Sequence, residues 1–414
     1  MAAKGREGEP SDQPDGGQTS RGTIPWHQPT LHVVVANSLM AVAGASLISP
    51  ALPAIRDGLS LTDPQAGLVL TVFSLPGILL APVMGIVADR FGRRPVLIPS
   101  LAIFGLSGAS IAFIQSFEVL LVLRFVQGCA ASGLITLSLT LVGDVFEGTR
   151  RNAVMGVNAA AMTIGVAIYP VVGGYLADIQ WNLPFLVYGL SAVVGVFAFF
   201  TLEEPEVEGS AFGIRYLQQA TDRVVTRTGF ALYGVVFLLF LLYFGVVNTA
   251  VPFLLNETYN LPAFSIGIIL AVPLFVGSVV ALGNGHFARY FSSQQLMTLG
   301  FAGYGIGIAG IWFTSSGVTV ALTLAILGIG HGFIIPSADA AISSLAPARL
   351  RGGVMSLRLS VKKIGQTIGP YLFASLGAMA GYPSVLAIVG AVTFVGSIVI
   401  LITIMQSRPT TNPI

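Results

Sequence analysis

Residues 67–91 read GLVLTVFSLPGILLAPVMGIVADRF, and residues 267–291 read GIILAVPLFVGSVVALGNGHFARYF. Overlaid without a gap, the two stretches match at Gly67, Leu70, Val72, Gly77, Ala81, Gly85, Ala88 and Phe91 against Gly267, Leu270, Val272, Gly277, Ala281, Gly285, Ala288 and Phe291. The same step carries Arg151, Val154, Met155, Ile164, Gly165, Ile168 and Pro170 onto Arg351, Val354, Met355, Ile364, Gly365, Ile368 and Pro370. Biased composition gives scattered coincidences, but not one register held across two distant blocks. The chain is therefore two copies of one apolar unit.

Composition places that unit in a bilayer. Hydrophobic residues make up 54% of the 414 and charged residues 9%, where a soluble domain carries about 25% charged residues; mean hydropathy is +0.84. A net charge of +2, spread over short loops, gives no surface for nucleic acid. Cys129 is the only cysteine, so no intramolecular disulfide forms. Residues 1–28 are rich in Gly, Ser, Pro, Asp, Glu and Gln with no apolar core behind a basic start, and read as a disordered tail rather than a signal peptide.

A helix needs about 20 apolar residues to cross the hydrocarbon. Charge clusters and Pro/Gly turns divide the rest into twelve such segments, near 31–55, 65–88, 95–115, 117–143, 152–176, 183–202, 229–255, 263–286, 293–314, 318–344, 352–379 and 383–406. The fold class is all-α membrane protein, twelve helices in two pseudo-symmetric six-helix bundles. The expected order is a cytoplasmic tail 1–28, a first bundle 29–202, a cytoplasmic linker 203–228, a second bundle 229–406 and a tail 407–414. One set of alternate loops holds Arg90, Arg93, Arg94, Arg150, Arg151, Arg215, Arg223, Arg227, Arg289, Arg349 and Arg351, and the other only Arg56. Basic loops stay inside, so both termini are expected in the cytoplasm of a multi-pass plasma-membrane protein. Asn256, Glu257 and Thr258 spell a glycosylation acceptor in an outward loop, a triplet that also arises by chance.

Between the second and third spans stands Gly85, Ile86, Val87, Ala88, Asp89, Arg90, Phe91, Gly92, Arg93, Arg94. This run resembles the loop signature of the major facilitator superfamily, Gly-x-x-x-Asp-Arg-x-Gly-Arg-Arg, and the resemblance extends over about residues 30–406. It implies a carrier whose two halves rock about a midplane site lined mainly by spans one, four, seven and ten. Gly85 permits close helix approach, Gly92 a tight turn, and Asp89 with Arg90, Arg93 and Arg94 makes ion pairs that break on rocking, with Asp144 expected to meet Arg90 or Arg94. The alternative is that these arginines only set topology. In the second copy Arg289 replaces Asp89, so the charge lock is expected to be asymmetric.

Span five carries Gly156, Gly165, Pro170, Gly173 and Gly174, and resembles the family's antiporter motif except that Tyr169 stands where a Gly usually precedes the Pro; span eleven keeps Gly365, Gly369 and Pro370. Two readings fit: a bent, closely packed helix that favours export, or ordinary glycine packing. Arg124, Gln127 and Gly128 match the family's Arg-x-x-Gln-Gly element, whose arginine is implicated in proton coupling. Arg124 cannot release a proton itself, which leaves tuning a neighbouring acid, binding an anion, or structural hydrogen bonding.

Span eleven departs from an ordinary apolar helix. Arg358, Lys362 and Lys363 lie inside it, with Arg358 and Lys362 on the face of Gly365 and Gly369, and Lys362 near mid-bilayer. Span ten offers His331 and Asp339, so an Asp339–Arg358 pair is the most plausible intramembrane ion pair; a stabilising salt-bridge network is the competing reading. His331 either titrates or only bonds a neighbouring helix. Asn37, Asn158 and Asn248 are candidate polar cavity contacts, equally explained by interhelical hydrogen bonds. No carboxylate lies between His32 and Pro53 in span one, where the family's drug/proton antiporters often carry one, and this weakens a cationic-drug reading.

No enzyme signature, metal-ligand spacing or Gly-Lys-Ser/Thr phosphate loop is present, and no cofactor is expected. The expected function is proton-coupled export of small organic compounds, drug-like or amphipathic and with anions among them, by a monomer in the lipid bilayer that takes a small-molecule substrate and protons. The alternatives are an uptake carrier or uniporter for an organic anion or metabolite, and a non-transporting membrane sensor on the same fold.

Overall fold

The computed structural model describes residues 24–204 and 214–406. Residues 1–23 of the tail expected at 1–28, the tail expected at 407–414, and linker residues 205–213 lie outside the described residues. The spans are Pro29–Gly58, Asp63–Phe91, Arg93–Phe113, Phe117–Val145, Gly148–Ile179, Leu183–Thr201, Arg227–Tyr259, Ala263–Phe287, Ser293–Phe313, Gly317–Ser343, Arg351–Ala380 and Tyr382–Gln406, called spans 1 to 12. Eleven are long and apolar enough to cross a membrane by length and hydropathy alone. Span 11, with 30 residues, is about 45 Å long at 1.5 Å per residue. It has the length, and its three internal cations lower its hydropathy.

Local sequence sets the ends. Thr62 with Gln65 and Ser292 with Gln295 form reciprocal capping boxes that open spans 2 and 9. Ser116 and Thr226 cap spans 4 and 7 with a single side-chain bond each. Gly92 ends span 2 at φ 96°, a conformation that side chains with a Cβ rarely adopt.

Spans 1 and 7 are broken at equivalent depths. Span 1 is α-helical over Pro29–Ser46, turns through a short 3₁₀ segment at Ser49–Ala51, and resumes at Leu52–Gly58. Span 7 is wound as a π-helix over Tyr243–Ala250. Subtracting the repeat step places that π segment over residues 43–50, at the break in span 1. The two irregular stretches meet, since Ser49 Oγ donates to the Asn248 carbonyl at 2.8 Å. Wide helical turns of this kind recur at functional sites, because they free backbone groups and re-aim side chains.

The halves join through spans 2 and 11 and through spans 5 and 8. A Cβ on Gly67 would lie 3.0 Å from the Pro370 carbonyl oxygen, and one on Gly267 would run into the Pro170 carbonyl. These two contacts are the same contact with the halves exchanged, since 67 maps to 267 and 170 to 370. The repeat seen in the sequence is thus a pseudo-two-fold axis. The expected linker contains a structural element: Ile214–Val224 is an amphipathic helix. Tyr216 Oη accepts from the Gly353 amide at 2.9 Å, and the fully buried Ala220, one turn on, packs against Gly353, fastening this helix to span 11.

Candidate transport site and its two faces

Arg358 enters span 11 about 11 Å beyond Arg351, and Lys362 about 17 Å, which is mid-bilayer depth. Arg358, 8% exposed, forms an ion pair with Asp339 of span 10. Lys362, one turn further, places Nζ 4.8 Å from the centre of the Phe240 ring in span 7. Gly365 and Gly369, on the same stripe, let span 11 lie against the span 7 backbone at Phe237, Leu241 and Gly245. Lys363 turns to the other half: its Nζ lies 5.9 Å from the centre of the Phe73 ring, and its stem passes over Gly77. His331 Nδ1 is 2.6 Å from Tyr304 Oη, and the imidazole lies 4.8 Å from the Tyr243 ring. Tyr243 opens the π segment. Within this cluster three cations share one contacting carboxylate, and aromatic faces supply the rest of their environment. Such an arrangement attracts negative charge.

In the first half Arg124 is fully buried. Its Nη1 donates to Gln127 Oε1 at 2.8 Å and to the Gly44 carbonyl at 3.2 Å, and the guanidinium lies 5.1–5.5 Å from the ring centres of Phe73, Phe185 and Tyr188. Tyr188 Oη donates to the same Gly44 carbonyl at 2.9 Å. No carboxylate is among these contacts, so the acid-tuning role considered for Arg124 has no acid to act on here. The planar guanidinium fits stacking between rings, with Nε and Nη2 lacking a protein partner.

The asparagines divide. Asn37 spends both amide hydrogens on span 4, at the Leu134 carbonyl (2.7 Å) and Ser138 Oγ (2.6 Å), and is fully buried, so it is an interhelical clamp rather than a cavity contact. Asn158, 2% exposed, reaches only Met162 Sδ at 3.9 Å. Asn248 sits in the π segment at the crossing with span 1.

At the arginine-rich face, Asp144 pairs with Arg93 at 2.9 Å, not with Arg90 or Arg94, and Arg93 also pairs with Asp89. The turn at Gly92 is the reason: it makes Arg93 the first residue of span 3 and points it back at span 4. Arg94 instead donates to the Phe199 carbonyl at 2.6 Å. Glu204, which the sequence reading passes over, accepts from the Arg93 and Arg94 amides at 2.6 and 2.9 Å and so caps span 3. Its signal was its position directly after span 6, beside Glu203 and Pro205. These bonds all lie within one half.

The opposite face joins the halves. Arg56 pairs with Asp63 at 2.8 Å and with Glu257 of the second half, and its Nη2 donates to Asn256 Oδ1 at 3.3 Å. Tyr382 Oη donates to Asp63 at 2.7 Å, and Asp178 accepts from the Ala263 and Phe264 amides at 2.7 and 3.0 Å, capping span 8 from span 5. The Asn256 of the glycosylation triplet is thus a helical residue engaged with Arg56.

Glycines show the same gradient. Near the opposite face, a Cβ on Gly173 would run into the Leu47 carbonyl and one on Gly174 into that of Ala263. At mid-span, Gly165 packs on Leu39 and Val42 of span 1, within its own half. Toward the arginine-rich face a Cβ on Gly156 or Gly285 would meet nothing within 4 Å, and one on Gly85 only Thr136 Cγ2 at 3.9 Å, in its own half. Of these, Gly174 makes its close contact with the other half, at the Arg56 face, while Gly85, Gly156 and Gly285 toward the arginine-rich face touch nothing of the other half.

Two pseudo-symmetric bundles, joined at one face and carrying charged groups within their spans, define the architecture of a multi-pass membrane carrier. The family profile of the Major Facilitator Superfamily matches residues 34–357 and 234–413, and the chain belongs to that superfamily of secondary transporters, which are not enzymes. It is 28% identical over 368 residues to the Bacillibactin exporter of Bacillus subtilis (strain 168), covering 83% of this chain and 89% of that protein. It is 24% identical over 353 residues to Multidrug resistance protein 1 of the same strain, covering 83% and 90%. Among solved structures, a variant of the nucleoside transporter NupG superposes with a TM-score of 0.77 at 13% identity, covering 92% of this chain and 99% of that one.

Proposed function

We propose that this protein is a proton-coupled exporter of small amphipathic organic compounds, neutral or anionic, oriented with the arginine-rich face and both termini in the cytoplasm of the cell membrane. The observation that carries the reading is the Asp339–Arg358 pair beside Lys362 and His331 in the second half. A carboxylate held by an arginine at membrane depth is a group whose protonation state can change during a transport cycle: protonating Asp339 releases Arg358, and losing the proton restores the pair. The name of one bacterial relative, the Bacillibactin exporter, supports the direction. The excess of cations, and the absence of a carboxylate in span 1 before Asp57, favour an anionic or neutral substrate over a cationic one.

In this reading the structure is the cytoplasm-open state. The Arg56, Asp63, Glu257, Asp178 and Tyr382 contacts hold the outer face shut, and the motif around Asp89 becomes an inter-bundle contact when the inner face closes. Proteoliposomes loaded with a fluorescent amphipathic anion test it. Efflux should follow an imposed pH gradient in the native protein and lose that dependence in Asp339→Asn. Equal efflux with and without the gradient would remove the coupling, and accumulation in place of efflux would favour the uptake reading.

A further inference from the structure

A groove of about 840 Å³ opens on the membrane side of the second half between spans 7, 9 and 12, away from the cation cluster. Its mouth is Arg227, the first residue of span 7, with Gln294 near the start of span 9. From there it runs to Leu238 along span 7, about 17 Å at 1.5 Å per residue, which is roughly the depth of one leaflet's hydrocarbon. The lining past the mouth is Val235, Leu238, Met297, Phe301, Val392 and Ile400, together with the hydroxyls of Thr298, Thr393 and Ser397, while Thr228 stands beside the arginine at the mouth.

Those hydroxyls do not make the groove polar. Thr298 donates to the Gln294 carbonyl, Thr393 to Val389 and Ser397 to Phe394, each within its own helix, at 2.6–2.8 Å. The hydroxyl hydrogens are spent, so the floor has little to offer a polar solute. Space comes from two glycines: a Cβ on Gly234 of span 7 or Gly396 of span 12 would meet no atom within 4 Å. A second apolar hollow, between spans 9 and 12 at the opposite face, is lined by Ala309, Trp312, Phe313 and Ile388 among others and carries no charged residue.

We propose that the groove between spans 7, 9 and 12 is a binding site for an anionic glycerophospholipid, with one acyl chain between Gly234 and Gly396 and the phosphate on Arg227. A cation at the membrane surface above a leaflet-deep floor with spent donors is complementary to that molecule in both charge and shape. A zwitterionic lipid matches the floor and matches the mouth less well. The site stands independently of the direction of transport and of Asp339.

Native mass spectrometry of the full-length protein, purified in mild detergent with equal phosphatidylglycerol and phosphatidylcholine, reads the site directly. Retained phosphatidylglycerol should exceed phosphatidylcholine about fivefold, the preference that one surface arginine confers. Arg227→Gln should bring the ratio near one while a lipid is still retained, and Gly234→Leu or Gly396→Leu should remove one bound lipid of either kind. Equal retention by the native protein, loss of all lipid in the detergent, or an unchanged ratio in Arg227→Gln would overturn the proposal. If either glycine variant fails to fold, the Arg227→Gln ratio still decides it.

Discussion

Replacing Gly267 by alanine puts a methyl group where the Pro170 carbonyl now stands, in a contact that holds spans 5 and 8 together at the Arg56 face, the outer one in the proposed orientation. Neither group is a flexible side-chain end, so the backbones must part. Overpacking of this kind costs about 1–3 kcal/mol. The alternate state, with those helix ends separated, does not bear that cost. The whole penalty therefore falls on one conformer, and at about 1.4 kcal/mol per tenfold the population ratio should move by about 5- to 150-fold toward the outward-open state. Gly156→Ala and Gly285→Ala should act with the opposite sign. Their new methyl groups meet open space in the present state and crowd the partner helix only when the inner face closes. The assay is double electron–electron resonance between spin labels at Gln180→Cys and Thr258→Cys, both exposed at the outer ends of spans 5 and 7, in a Cys129→Ser background. A folded Gly267→Ala protein with the native distance distribution would refute the reasoning, as would a shift of the same sign in Gly156→Ala.

The remaining predictions concern charge. Arg358→Gln leaves the half-buried Asp339 without its partner and should lower stability by about 1–3 kcal/mol, while the double variant with Asp339→Asn recovers most of that; thermal unfolding of the four proteins in a double-mutant cycle measures the coupling. Asp178→Asn weakens the charge-assisted cap on span 8, worth about 0.5–2 kcal/mol, and should open the outer face in the same resonance experiment; unchanged distances would show the cap to be passive. Arg124→Lys keeps the charge and loses the planar stack on Phe73, Phe185 and Tyr188, so it should behave nearly as badly as Arg124→Gln in transport. Full activity in the lysine variant would show that charge alone suffices.

The sequence by itself determined the membrane class, the number of spans, the internal duplication and the Asp339–Arg358 pairing. Each of these depends on short-range regularities: hydropathy over one helix length, a register held over 200 positions, and helical rise that brings opposite charges to one depth. Tertiary structure decided the rest. The partner of Asp144 is Arg93 because the Gly92 turn aims that side chain at span 4. Asn37 is a clamp because the Leu134 carbonyl and Ser138 lie across from it. The lock at the Arg56 face draws Arg56, Asp63, Asp178, Asn256, Glu257 and Tyr382 from five spans, and the groove at Arg227 needs three helices to exist. The physical reason is that burial and hydropathy act on every residue through the solvent, which leaves a periodic trace along the chain. A hydrogen bond between distant helices acts through one pair of atoms, and that pairing exists only once the bundles have packed.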